Sequence, residues 1–164
     1  MENTIRSRET AGFTVLALAA LIAPAVAFLI SYFVGFYNGI PAPRPAYTPP
    51  DIATYIMDAA ARFIFGISLY LTVRAAVETQ TDRAIKGIAV GLWIGSYALS
   101  LIWLPVFFTL GSYIGGFIIL ALIGAMTTVQ FIINLKISFP AAIAVLPYWA
   151  FVLFYAWINL MMIV

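Results

Sequence analysis

The stretch ATYIMDAAARFIFGISLYL, Ala53–Leu71, decides the fold. Apart from Asp58 and Arg62 it holds only apolar, small and hydroxyl-bearing residues. As a helix rising 1.5 Å per residue it extends about 28 Å, close to the ~30 Å thickness of a bilayer's hydrocarbon core. The two charged residues are four apart. They therefore share one helix face, about 6 Å apart along the axis. Counted from Ile52, Arg62 lies about 15 Å deep, near the midplane.

A charge at that depth costs about 2.5–3.5 kcal/mol on insertion scales. Pairing recovers part of this, but a Leu and a Phe would carry no such cost. Three readings stay open. The pair neutralises itself and holds this helix against a neighbour, or Arg62 binds an anionic group while Asp58 orients it, or both meet a partner subunit. Tyr55 and Phe65 share the same side, and Ala59 and Ala61 leave room beside it.

The rest of the chain agrees with a bilayer as solvent. Of 164 residues 65% are hydrophobic and 9% charged, too little polar surface to cover a soluble domain of this size. There is no Cys, hence no disulfide, thiolate metal site or Cys nucleophile. There is no His, the most versatile general base and metal ligand. Catalytic residues and a metal site are not expected, nor is a nucleic-acid partner. The chain carries no P-loop or dinucleotide fingerprint.

Five apolar runs are long enough to span, at residues 12–36, 52–73, 85–108, 113–133 and 140–163. Lipid leaves no unpaired backbone group satisfied, so all five are expected as helices. The fold class is all-α, a single five-helix membrane domain over residues 1–164. Ala25-Val26-Ala27 has the form of a signal-cleavage site, but the run continues to Phe36, beyond the length of a signal h-region. Residues 37–51 hold five of the nine prolines and form a stiff extended loop. The turn TLGS, Thr109–Ser112, makes the third and fourth helices antiparallel neighbours.

The flanking cations set the expected orientation. Arg6, Arg8, Arg74, Arg83, Lys86 and Lys136 fall on one side and Arg44 on the other. The N-terminus is therefore expected in the cytoplasm and the Pro-rich loop outside, in a bacterial inner membrane or an organelle membrane.

Three segments resemble the translocator protein family, also called tryptophan-rich sensory proteins (TspO/MBR). RPAYTPPD is similar to its Pro-aromatic loop before the second helix. LIWLPVFF resembles its Trp-x-Pro-x-Phe signature, and LPYWAFVLFYAWIN its fifth-helix pattern. The resemblance implies a bundle, often dimeric, with a ligand pocket between helices closed by the first loop. Porphyrins or other tetrapyrroles, sterols and synthetic aromatics are the implied ligands, with haem possible and no obligatory cofactor. It assigns Tyr47, Pro49 and Pro50 to the lid, Trp103 and Pro105 to the third helix, and Pro147, Tyr148 and Asn159 to the fifth, where Phe151 is a further candidate for ligand contact. Asp58 and Arg62 stand where the family's second helix carries Trp and Tyr. Ala46 replaces a loop aromatic, Ser100 a common Asn, and Phe151 a common Trp.

Gly87, Gly91 and Gly95 repeat every four residues and form a groove, read either as packing within the bundle or as a homodimer seam. Gly111 and Gly115 are read as packing within the chain. Gln130 and Asn159 are expected to bond a neighbouring helix or backbone. Trp93, Trp103, Tyr148, Trp149, Tyr155 and Trp157 suit either a flat aromatic ligand or an interfacial belt.

The function expected is binding of a flat hydrophobic ligand for transport, sensing or regulation. The alternative is a structural or accessory subunit of a larger membrane complex. Enzymatic porphyrin breakdown is the third and least supported reading. The charge asymmetry predicts that a cysteine at Thr48 reacts with an impermeant thiol reagent outside intact cells and one at Thr79 does not. The chain has no native Cys to interfere, and the opposite labelling pattern reverses the orientation.

Overall fold

The computed structural model describes residues 51–164 together with Ile22, Ala25, Val26 and Leu29 of the first apolar run. Those four are helical and exposed, at the spacing of a single helix face. The Pro-rich loop, with Tyr47, Pro49 and Pro50, lies outside the described residues, as do the N-terminal cations and the side chain of Tyr55.

Four described helices are long and apolar enough to cross a membrane. They are α1 (Asp51–Arg74), α2 (Gln80–Leu104), α3 (Tyr113–Ile137) and α4 (Phe139–Met161), corresponding to the second to fifth expected spans. α2 begins five residues before its apolar run because Thr79 caps it, its hydroxyl accepting from the Asp82 N–H at 3.0 Å. α3 runs one turn past its expected end, to a cap at Ser138. Polar residues flanking an apolar run continue a helix freely once they have left hydrocarbon.

At Pro105 the regular helix gives way to a π-helical turn, Pro105–Thr109. Proline lacks the N–H that would bond one turn back. After it the backbone closes wider loops, Leu110 N–H to Pro105 O at 2.9 Å and Ser112 N–H to Val106 O at 3.0 Å. Gly111 follows at φ 60°, the one described glycine in the left-handed region. It serves the turn rather than the helix packing expected from its spacing, since a Cβ there would meet nothing within 4 Å.

The helices pack in the order α1–α4–α3–α2, with α1 and α2 in lighter contact. The burial pattern is that of a protein dissolved in hydrocarbon. Ile56, Phe63, Ile94, Ile118 and Ile132 face outward, while Asp58, Arg62, Ser68, Thr72, Ser96, Ser100, Thr127, Gln130, Asn134 and Asn159 are buried. Where lipid is as apolar as leucine, burying apolar groups gives no gain, and close packing with polar pairing decides the interior.

Close packing rests on α3 and α4. Ala141 and Ala142 are fully buried. Gly116 of α3 sits under Asn159, and a Cβ there would collide with Asn159 Oδ1 and press Trp103 and Phe107 at 3.4 Å. The spacing pattern singles out Gly115 and passes over Gly116. Gly124, two turns along the same buried face, has room, because a Cβ added there would lie 3.9 Å from its nearest neighbours, on Leu153 and Val152. Gly116→Ala is therefore expected to lower stability by about 1–3 kcal/mol. Gly124→Ala should be neutral or mildly stabilising, because alanine favours the helix by up to about 1 kcal/mol. Thermal unfolding in one detergent compares them, and equal effects would contradict the packing assigned to Gly116.

Candidate functional site

Asp58 and Arg62 sit halfway along α1 and face the bundle interior, 5% and 2% exposed. The one-turn spacing read from the sequence becomes a contact. Arg62 Nε donates to Asp58 Oδ1 at 2.7 Å. Arg62 Nη1 reaches across to α2 and donates to Ser100 Oγ, also at 2.7 Å. Ser100 in turn donates to the Tyr97 carbonyl at 2.7 Å. A hydroxyl suits this position because it donates one hydrogen and still accepts from the guanidinium. The face of Tyr148 on α4 lies 6.0 Å from the guanidinium carbon, at the limit of a cation–π contact. Its hydroxyl is buried beside Ser100 without completing a well-formed hydrogen bond among the described residues. Three helices thus meet at one cation.

One turn further along α1, Phe65 closes the floor. Its ring stacks on Tyr148 at 4.2 Å and on Trp93 at 5.3 Å, and Trp93 stacks on Tyr97 at 5.2 Å. Trp93 Nε1 donates to the Phe65 carbonyl at 2.8 Å, which sets the height of α2 against α1. Four rings from three helices form a layer across the interior. Beyond it, towards the end carrying Arg74 and Lys136, lies a second polar group. Ser68 donates to the Ala141 carbonyl at 2.9 Å and Thr72 approaches Asn134 Oδ1 at 3.2 Å.

Towards the other end is a second aromatic group. Trp103 meets Tyr155 edge-on at 5.0 Å and stacks on Phe107 at 5.4 Å, and Phe151 lies 4.7 Å from Tyr155. Asn159 Nδ2 donates to the Tyr155 carbonyl at 2.8 Å, as expected of an intramembrane amide. Its Oδ1 and the Trp103 indole N–H have no hydrogen-bond partner among the described residues.

Asp58, Arg62 and Tyr148 are therefore brought together, and Trp103, Phe151 and Asn159 form a neighbouring group. Pro105 is half-buried at the start of the π turn, where its visible role is to end the regular helix. Trp149 is set apart, half-buried and bonded to Thr128 on the α3–α4 flank at 2.9 Å. Of the glycine stripe, Gly95 faces α3, where a Cβ would meet Met126 Cε at 2.5 Å. Gly87 and Gly91 have open space around them among the described residues. Ser100 and Tyr97 are the members that sequence reasoning did not place in the site. A serine one turn from the third-helix Trp was the available signal, visible only as a departure from a family's Asn.

Trp103-Leu104-Pro105 at the end of α2 and Pro147-Tyr148 in α4 are among the strings that carried the family resemblance, and Trp103 and Tyr148 are both buried in this interior. The profile of the TspO/MBR family matches residues 13–164, nearly the whole chain. The chain belongs to the TspO/MBR family. With four described spans it is a multi-pass integral membrane protein. Comparison with curated proteins finds no match.

The pair's energetics can be tested directly. Removing one partner of a buried ion pair strands the other and costs about 3–5 kcal/mol, whereas replacing both by apolar residues is often neutral. Asp58→Leu alone should strongly lower thermal stability. Asp58→Leu with Arg62→Met should recover most of the loss, and additive losses would show that the two residues act independently.

Proposed function

We propose that this TspO/MBR protein binds a flat, hydrophobic, anionic molecule of the tetrapyrrole class between its helices, with Arg62 as counter-ion to a ligand carboxylate. The observation that carries the reading is a guanidinium 2% exposed, midway along a membrane-spanning helix, held by Asp58 and Ser100 and bordered by stacked aromatic rings. Arginine has five N–H donors in a planar fork. Asp58 and Ser100 fix its plane while occupying only part of that set. Apolar and aromatic walls supply the binding area and a few polar groups supply orientation, the usual division in a small-molecule site.

In this reading Tyr148 and Phe65 form one wall, and Trp103, Phe151, Tyr155 and Asn159 line the approach. The first loop, with Tyr47, Pro49 and Pro50, closes over the ligand. The five-span topology, a cytoplasmic N-terminus and a bacterial or organelle membrane complete the proposal. The work of the site is binding, for transport, sensing or regulation.

A second reading is favoured by a different observation. Gly87 and Gly91 lie on an exposed face of α2 with open space around them among the described residues. There the chain acts as a subunit, as a homodimer or in a larger membrane complex. The Asp58–Arg62–Ser100 bonds then only fasten α1 to α2.

One titration separates the two. Arg62→Gln should weaken binding of a dicarboxylic porphyrin about ten- to a hundredfold and leave its neutral ester nearly unaffected. That corresponds to losing a hydrogen bond to a charged group, roughly 1.5–3 kcal/mol. Equal losses for acid and ester, or no binding of either by the parent protein, reject Arg62 as counter-ion and favour the subunit reading.

A further inference from the structure

Gln130 lies on the interior face of α3, 1% exposed, and neither its amide oxygen nor its nitrogen has a hydrogen-bond partner among the described residues. Other buried polar side chains on that face are anchored. Thr127 donates to the Ile123 carbonyl at 2.8 Å. Asn134, one turn after Gln130, donates to Ser68 Oγ at 3.5 Å, and its Oδ1 lies 3.2 Å from the Thr72 hydroxyl, whose hydrogen has a nearer acceptor in the Ser68 carbonyl at 2.8 Å. The contact to Ser68 is long for a hydrogen bond. A primary amide offers two N–H donors and a carbonyl with two lone pairs. In hydrocarbon all of these would be stranded, and an apolar residue would serve better.

Asn134, on the same face of α3 one turn away, is where Ser68 and Thr72 of α1 meet α3. The set lies within two turns of Arg74 and Lys136, where these helices end. Buried water typically satisfies such groups, with about three hydrogen bonds to each molecule. We propose that Gln130 binds an ordered water molecule inside the bundle, and that this water joins it to the Ser68–Thr72–Asn134 cluster. The interior then has a hydrated half on the Arg74 side of the Phe65–Trp93–Tyr148 layer. Arg62 lies on the other side of that layer.

The experiment uses the full chain in detergent. Gln130→Met keeps the length of the side chain and removes both polar ends. If water links Gln130 to Asn134, this change lowers the melting temperature by roughly 2–4 °C or more. Asn134→Leu also lowers it, and the double variant falls no further than the less stable single, because one shared network is lost once. An unchanged or raised melting temperature for Gln130→Met overturns the proposal, since that is the result for an amide with nothing bound to it. Additive losses overturn it as well. A second measurement needs no variant. In the unsubstituted protein, the Gln130 side-chain NH₂ should show a through-space NMR cross-peak to long-lived water, and its absence with the amide resonances assigned rejects the site.

Discussion

Hydrocarbon offers no hydrogen bonds, so a polar group buried in this bundle depends on the protein, or on water the protein holds, for its partner. The interior of this chain is organised around that constraint. Arg62 is held by a carboxylate on its own helix and a hydroxyl on the next. Trp93 and Ser68 reach backbone carbonyls of Phe65 and Ala141 on neighbouring helices. Such interhelical bonds contribute modestly, on average about 0.6 kcal/mol in a membrane protein where they were measured. Their sum is too small to be what holds the helices together. Their effect is to select one register, because sliding α1 by a turn would leave a guanidinium and several hydroxyls stranded.

Cohesion comes instead from packing. Buried alanines of α4 and the glycines of α3 bring backbones close, and Gly116 does so where nothing larger fits. The aromatic residues fill the wider space between α1, α2 and α4. The Phe65 layer divides the interior into a charged compartment and a neutral polar one. That division gives the ligand-binding reading its geometry, with a cation above a flat aromatic floor and mixed aromatic walls towards the Asn159 end. It also frames the competition any anionic ligand must meet, since Asp58 already holds Arg62 at 2.7 Å. A ligand carboxylate would share the guanidinium with Asp58 by using its other edge, or displace Ser100.

Much of the architecture was legible in the sequence, for simple reasons. Twenty apolar residues bounded by polar ones can be little else than a span, and the described helices lie within a few residues of the runs that foretold them. The Asp58–Arg62 contact followed from a spacing of four, and the antiparallel α2–α3 pair from a four-residue turn. The family was legible because its motifs are local strings around Trp103 and Tyr148. Boundaries shifted where polar caps outside the membrane extended a helix, as at Thr79.

What the sequence determined by itself was the solvent, the helical class, the family and the face that the charged pair shares. The tertiary structure decided which helices share that face. Ser100 became the second partner of Arg62 because α2 crosses α1 at that height. Gly95 turned inward while Gly87 and Gly91 stayed open among the described residues, although the three are indistinguishable by spacing. Asn159 found a backbone carbonyl and Gln130 found no partner among the described residues, although both read as lone intramembrane amides. Spacing along one helix is fixed by 3.6 residues per turn. The partner across a helix interface depends on the rotation and height of a second helix, which the packing of the whole bundle sets.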